Sequence, residues 1–240
     1  MSKELKVWQA YREFKELGRV VRGGFGSCGI YPWSPSYPTW QPDHPLPPES
    51  DLEHTAGMMK LARLISWYYP EVIGKALLDD FIFGAEIHEM GERTSGDILD
   101  DGTRNDAEKD ALETKIIETY LNLAPEPERL RGIRIFGEMR DKTTEFGRTL
   151  YCLDKTEAIL QAIFYERSGH PGRLDYKLKT FGSLSERDRH SIAAVNTDNI
   201  SDCWAHAFAE RAEREHFEHR AIFLGIIHAA IKETRGVPPK

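Results

Sequence analysis

Apolar residues recur at helical spacing along most of this 240-residue chain, and strand signals are weak throughout. Glycine, proline and helix-capping residues divide the pattern into segments of helical length. Short connections between such segments favour an all-α bundle of antiparallel neighbours. We therefore predict helices over about 3–17, 51–67, 71–92, 106–122, 128–146, 148–167, 184–195 and 199–234.

One long segment, residues 22–50, interrupts the helical pattern. It reads RGGFGSCGIYPWSPSYPTWQPDHPLPPES, and its prolines exclude a helix. Loops of this length are uncommon inside compact domains and are often functional. We predict a Pro- and aromatic-rich loop or lid near the N-terminus.

The overall composition limits the partners that we expect. A formal net charge of −7 argues against a nucleic-acid polymer, whereas a small anionic substrate remains compatible with a local positive pocket. Three scattered cysteines without CxxC spacing indicate reduced thiols. The charged N-terminus does not resemble a signal peptide, and the longest apolar run, 221–231, is too short to span a bilayer. We expect a cytoplasmic protein without a membrane partner, in which 221–231 could serve a homodimer.

The stretch AEIHEMGERTSGD, residues 85–97, concentrates one histidine and four acids after an apolar helical run. Acids this close repel one another, and burying them is costly without a positive partner. A divalent cation would hold such a group together.

Three predicted helices carry polar residues on their apolar faces. His54 shares a stripe with Met58, Leu61 and Ile65, His88 and Glu89 end the apolar face of a later helix, and Asp154 follows Leu150 by one turn. Each residue alone has an ordinary explanation: a hydrogen-bonded core histidine, a solvated helix end, or a carboxylate paired with a buried arginine. Together, two histidines and two carboxylates on helices are how bundles build metal sites.

The order and spacing resemble the HD-domain metal-dependent phosphohydrolases. His54 is followed after 34 residues by His88-Glu89 and after a further 65 by Asp154. The continuation Glu92 and Gly96-Asp97 is similar to the 5′-deoxynucleotidase-like branch, and the resemblance covers about residues 10–165.

This resemblance implies an all-α HD-domain bundle that holds one divalent metal ion. The implied ligands mix imidazole and carboxylate, which suits Mn, Co, Fe, Ni or Zn, with Mg as a further candidate. They are His54, His88, Glu89 and Asp154.

The resemblance also implies roles for residues outside the ligand set. Glu92 would orient the attacking water or move its proton, and Asp97 would assist from the following loop. Arg22 is the best counterpart of a substrate-binding arginine, and Trp33 or Trp40 could stack on a base. Anchoring the Pro-rich loop is an equally good role for either tryptophan.

The implied function is a phosphohydrolase in which a metal-activated water cleaves a phosphate ester or anhydride, with a (deoxy)nucleotide as substrate. Residues 1–167 would form the metal phosphohydrolase core. Residues 168–240 would be a C-terminal helical extension packed on the same domain.

One position departs from the family pattern. The family has aspartate after the second histidine, whereas this chain has Glu89, whose extra methylene moves the carboxylate by about 1.5 Å. Two alternatives therefore stay open. One is a catalytically altered HD protein that binds a nucleotide as a sensor or scaffold, and the other is a phosphohydrolase of a non-nucleotide substrate.

Overall fold

The computed structural model describes residues 2–5, 7–8, 51–88, 90, 106–122, 124–167 and 200–235. Every regular element in these residues is an α-helix, which confirms the predicted all-α class. Residues 3–5 and 7–8 are helical. The helices with defined bounds are α1 (Asp51–Tyr68), α2 (Leu78–His88), α3 (Asp106–Leu121), α4 (Glu126–Asp141), α5 (Glu145–Arg167), α6 (Ile200–Arg214) and α7 (Arg220–Arg235).

Helix α5 is the longest of these helices and lies at the centre of the bundle. It packs against α1, α2, α4, α6 and α7. Its apolar residues, including Leu153 and Leu160, join a core to which α1 contributes Met58, Leu61 and Ile65. Each of these side chains is fully buried, and burial of one such side chain stabilises the fold by roughly 1.5–3 kcal/mol. The core therefore fixes α1 and α5 side by side.

A second apolar cluster holds α2 against α3 and α4. Its buried members are Ile87, Ile117, Leu121, Ile135 and Phe136. Because Ile87 precedes the last residue of α2, this cluster anchors the C-terminal end of that helix. His88 is thereby held at a defined place beside the main core.

The boundary between α4 and α5 differs from the prediction of helices over 128–146 and 148–167. Helix α4 ends at Asp141, and Lys142 adopts a left-handed conformation (φ 52°) in which its N–H donates to the carbonyl of Glu138. A Cβ on Gly147 would lie 2.0 Å from that same carbonyl oxygen. Glycine thus permits the close approach of α5 to α4, so the chain reverses about five residues earlier than predicted.

Two other predicted boundaries are also wrong. Helix α2 begins at Leu78 and not near 71, because Pro70 and Gly74 lie in a turn whose Gly74 carbonyl accepts the N–H groups of Leu77 and Leu78. The predicted helix over 199–234 is two helices, since the chain leaves helical geometry after Arg214 and His216 takes a left-handed conformation (φ 55°). Because the apolar pattern continues across this connection, hydrophobic periodicity alone does not reveal that the helix ends there.

Several predictions lie outside the described residues or stay predictions. The loop over 22–50, the helix over 184–195 and most of the helix over 3–17 fall outside the described ranges. The division at residue 167 and the homodimer stay predictions, although Phe223, Ile226, Ile227 and Ala230 of the 221–231 run are buried within this chain. Among the described residues, no helix combines the length and apolar character needed to cross a membrane.

Candidate metal centre

Three of the predicted ligands converge in the bundle. His54 of α1, His88 of α2 and Asp154 of α5 each offer one ligand atom, and these atoms lie within 4.8 Å of one another. The three helices are those fixed by the two apolar clusters. The structure therefore brings together residues that are 100 positions apart in the chain.

His54 is held by carboxylates on both ring nitrogens. Its Nδ1–H donates to Oε2 of Glu157 at 2.5 Å, and its Nε2 lies 3.3 Å from Oδ1 of Asp154. The Glu157 contact keeps the proton on Nδ1, so Nε2 is the nitrogen available to a metal. A carboxylate behind a histidine in this way orients the ring and increases the basicity of its ligating nitrogen.

His88 is oriented by the backbone of its own helix. Its Nδ1–H donates to the carbonyl oxygen of Ala85 at 2.7 Å, and its ring centroid lies 5.2 Å from that of His54. With Nδ1 engaged, the buried Nε2 is the nitrogen that His88 could offer to a metal. Both histidines thus bond to the protein through Nδ1, so Nε2 is the nitrogen that each could offer to a metal.

Glu157 is the functional residue that the sequence analysis missed. Its side chain is 0% exposed, although it follows Asp154 by only one helical turn. Its space comes from Gly57 on α1, where a Cβ would lie only 2.1 Å from Oε1 of Glu157. The sequence shows a second acid one turn after Asp154, between the apolar residues Leu153 and Leu160, but this spacing alone does not distinguish it from an exposed acid.

The carboxylates and cations of the site shift each other's pKa. Burial alone would lower the pKa of His54, but its hydrogen bonds to Asp154 and Glu157, with their charges, raise it well above its usual range. Burial would raise the pKa of Asp154, whereas the charge of Lys155, 2.8 Å from its Oδ2, and the contact with His54 lower it. Without a metal, His54 is an imidazolium between two carboxylates.

A comparison with protein-family models identifies the fold family. The model of the HD domain matches residues 38–196, which is well over half of the chain. The chain belongs to the HD-domain family. Most HD-domain proteins are metal-dependent hydrolases, and membership supports a metal-dependent phosphohydrolase in general. No curated protein and no solved structure matches the chain.

The residues present fit the divalent ion that HD domains bind. Two imidazole nitrogens and a carboxylate oxygen are ligands that first-row transition metals accept, and both histidines already carry their proton on Nδ1. Ligands across one ion at bonds of ~2.1 Å are at most ~4.2 Å apart. A separation of 4.8 Å therefore requires only a small contraction of the site.

The other predicted site residues of this HD-domain protein lie outside the described residues. These are Glu89, Glu92, Asp97, Arg22 and Trp33, together with the alternative Trp40. Their roles, and those of His54, His88 and Asp154 as metal ligands, stay predictions. The structure adds Glu157, Gly57 and Lys155 to the neighbourhood of the candidate centre.

A cleft in the described part of the chain lies away from these ligands. It has a volume of about 410 Å³ and lies between α2, α3 and α4, where Ile82, Phe83, Tyr120 and Arg131 contribute to its walls. None of the three converging ligands lines it. The cleft is therefore separate from the candidate centre.

Proposed function

We propose that this protein is a metal-dependent phosphohydrolase of the 5′-deoxynucleotidase-like kind, which cleaves a phosphate ester or anhydride of a nucleotide. The observation that carries the proposal is the convergence of His54, His88 and Asp154, with Glu157 holding the proton on His54 Nδ1. A structural core histidine would need neither a second histidine nor a carboxylate on its remaining nitrogen.

The described residues have separable tasks in this proposal. His54, His88 and Asp154 hold the ion, and Glu157 sets the orientation of His54. A divalent ion bound there supplies Lewis acidity, which polarises a phosphoryl oxygen and makes water a better nucleophile. Asp154 stays anionic because Lys155 and His54 lower its pKa, so it retains its charge for the cation.

The substrate proposal depends on the sequence pattern. Glu92 would orient the attacking water and accept its proton, and Asp97 would assist from the loop. Arg22 would bind a phosphate, for which its planar guanidinium is suited, and Trp33 or Trp40 would stack on the base. A deoxynucleotide is favoured because Glu92 and Gly96-Asp97 follow the 5′-deoxynucleotidase-like spacing.

A second candidate function is a nucleotide sensor that has lost catalysis. Glu89 favours it, because the family has aspartate there and the longer side chain displaces the carboxylate. The substitution Glu89→Asp discriminates between the two. A hydrolase should be active as wild type and should keep or increase that activity on this change. A sensor that lost activity through Glu89 alone should be inactive as wild type and become active on this change.

The test is phosphate release from deoxynucleoside and nucleoside mono-, di- and triphosphates, with Mn²⁺, Co²⁺ and Mg²⁺ supplied separately. The proposal predicts metal-dependent turnover of one phosphate class. Asp154→Ala is the matched inactive variant, and it should remove turnover at every metal concentration. A non-nucleotide phosphate ester is added to the panel, and turnover of that ester without turnover of any nucleotide would show that the substrate is not a nucleotide. No phosphate release from folded, metal-loaded protein would favour the sensor.

A further inference from the structure

Three cationic side chains surround the ring of Tyr151, one turn before Asp154. Lys142 Nζ lies 5.4 Å from the ring centroid, Lys155 Nζ 5.5 Å, and the guanidinium carbon of Arg211 4.7 Å. Significant cation–π contacts occur about once per 70–80 residues, so three on one ring is an unusual concentration. We call Lys142, Tyr151, Lys155 and Arg211 the Tyr151 cation cluster.

The cluster adjoins the candidate metal centre. Lys155 contacts the Tyr151 ring and also lies 2.8 Å from Oδ2 of Asp154. Arg211 pairs with Glu215, whose Oε1 lies 2.9 Å from its Nε. The cluster thus places cationic side chains directly beside the carboxylate that would hold the metal.

Arg148 holds the backbone of the turn that carries Lys142. Arg148 donates to the carbonyl oxygens of Lys142 and Thr143 and binds the carboxylate of Glu218. These contacts join the α4–α5 turn to the α6–α7 connection. Phe217 of that connection packs edge-on against Tyr151, with ring centroids 5.6 Å apart.

The charged groups nevertheless remain accessible to a ligand. The side chains of Lys155 and Arg211 are 44% and 36% exposed. Arg211 belongs to α6 and lies beyond residues 38–196, the part of the chain that matches the HD domain. The C-terminal helices thus add a charged group that the matched region does not contain.

We infer that the Tyr151 cation cluster binds a second anionic group of the substrate, next to the phosphate at the metal centre. The inference rests on the proposed function for the position of that first phosphate. It names the substrate class as phosphorylated compounds with two neighbouring anionic groups, such as a di- or triphosphate chain. Arginine suits this role because its guanidinium donates two parallel hydrogen bonds to an oxyanion while stacking on an aromatic ring.

The experiment compares two small probes by calorimetry on Mn²⁺-loaded protein. Methylphosphonate has one anionic group, and phosphonoacetate has a carboxylate beside its phosphonate. A charge-assisted hydrogen bond changes affinity by about tenfold or more, so the wild-type protein should prefer phosphonoacetate by at least that factor. Arg211→Gln should remove most of this preference and leave methylphosphonate affinity unchanged.

Two further variants make the test specific. Lys142→Asn removes a charge with a residue that tolerates the left-handed conformation, so it should reduce the preference even if Arg211→Gln folds poorly. Arg214→Gln is the matched control, because Arg214 lies on the same helix and also contacts Glu215 Oε1, at 3.8 Å. It should retain the preference.

Equal wild-type affinities for the two probes would overturn the inference. So would a preference that survives both Arg211→Gln and Lys142→Asn. Neither readout requires turnover. If the preference depends on Arg211 but no phosphate compound is hydrolysed, the cation cluster stands and the proposed function is wrong. If a phosphate compound is hydrolysed but the preference for phosphonoacetate is absent, the proposed function stands and the inference about the cation cluster is wrong.

Discussion

Oε2 of Glu157 lies 2.5 Å from Nδ1 of His54, and this contact determines which face of the imidazole is available to a metal. Glu157 is fully buried, and it lies one helical turn from Asp154. One helix therefore supplies both a candidate ligand and the group that orients another ligand. The candidate centre depends on the register of α5 against α1.

Glu157→Gln is expected to weaken metal binding while the fold is retained. The amide removes the negative charge behind His54, and loss of such partners typically costs 10- to 100-fold in metal affinity, so we expect about tenfold or more. Isothermal titration with Mn²⁺ measures the effect. Glu145→Gln is the control, because Glu145 also pairs with a histidine, His219, but at the exposed start of α5. Equal affinities of the two variants would contradict the orienting role of Glu157.

Gly57→Ala is expected to destabilise the protein and weaken its metal binding together. Alanine normally stabilises a helix interior by about 0.5–1 kcal/mol relative to glycine. Here its Cβ would lie 2.1 Å from Oε1 of Glu157 and displace the carboxylate that orients His54. Urea unfolding and metal titration of the same preparation measure both effects.

Gly137→Ala in α4 provides the opposite case. No atom lies within 4 Å of a Cβ at that position, so the ordinary gain in helix stability should appear. Suppose that Gly57→Ala proved as stable as Gly137→Ala and bound metal normally. This result would contradict the close approach of Glu157 to Gly57 and its role in orienting His54.

Metal binding is expected to release a proton from His54. Its raised pKa keeps the ring charged at neutral pH, so a metal must displace the Nε2 proton, whereas Asp154 has a lowered pKa and is already ionised. Apparent affinity should rise about tenfold per pH unit through the neutral range. Calorimetry in buffers of different ionisation enthalpy counts the protons. A pH-independent affinity would mean that His54 is neutral in the metal-free protein.

Asp80→Asn is expected to weaken the α2–α4 contact in a pH-dependent way. Burial would raise the pKa of Asp80, but hydrogen bonds from Arg134 and Arg131 lower it overall. A lowered carboxyl pKa contributes stability above the unfolded value of about 3.9, and this stability is lost as the pH falls through the folded value. The variant should lose about 1–2 kcal/mol at pH 7.

The neighbouring Asp79 is the control for this prediction. Its side chain is 82% exposed against 18% for Asp80, so Asp79→Asn should cost less than about 1 kcal/mol. Unfolding free energies at pH 7 and pH 3 measure both variants. The difference between Asp80→Asn and wild type should shrink at the lower pH, and a constant difference would assign the loss to packing.

Periodicity was sufficient to predict helix type and the stripe of α1, because Met58, Leu61 and Ile65 are buried beside His54. It was insufficient where local backbone geometry decides the boundary. Lys142 and His216 both adopt left-handed conformations that non-glycine residues seldom take, and neither has a sequence signal. The α4–α5 and α6–α7 turns could therefore not be placed.

The candidate ligands could be predicted because their chemistry conflicts with their apolar surroundings. His54 and Asp154 are polar residues on core-facing stripes, and burial without partners is costly. Glu157 could not be separated from an exposed acid, since only the packing of α1 reveals that Gly57 leaves space for it. The cation cluster was also unpredictable, because Arg211 reaches Tyr151 from a helix 60 residues later.

The most direct measurement is the metal content of purified protein, determined by elemental mass spectrometry for wild type, Asp154→Ala and Asp202→Ala. Asp202 is the control because it lies on α6 and pairs with Arg235 outside the candidate centre. We predict one divalent ion per chain in wild type and Asp202→Ala, and loss of the ion in folded Asp154→Ala. Stoichiometric metal in Asp154→Ala would contradict the assignment of His54, His88 and Asp154 as the metal centre.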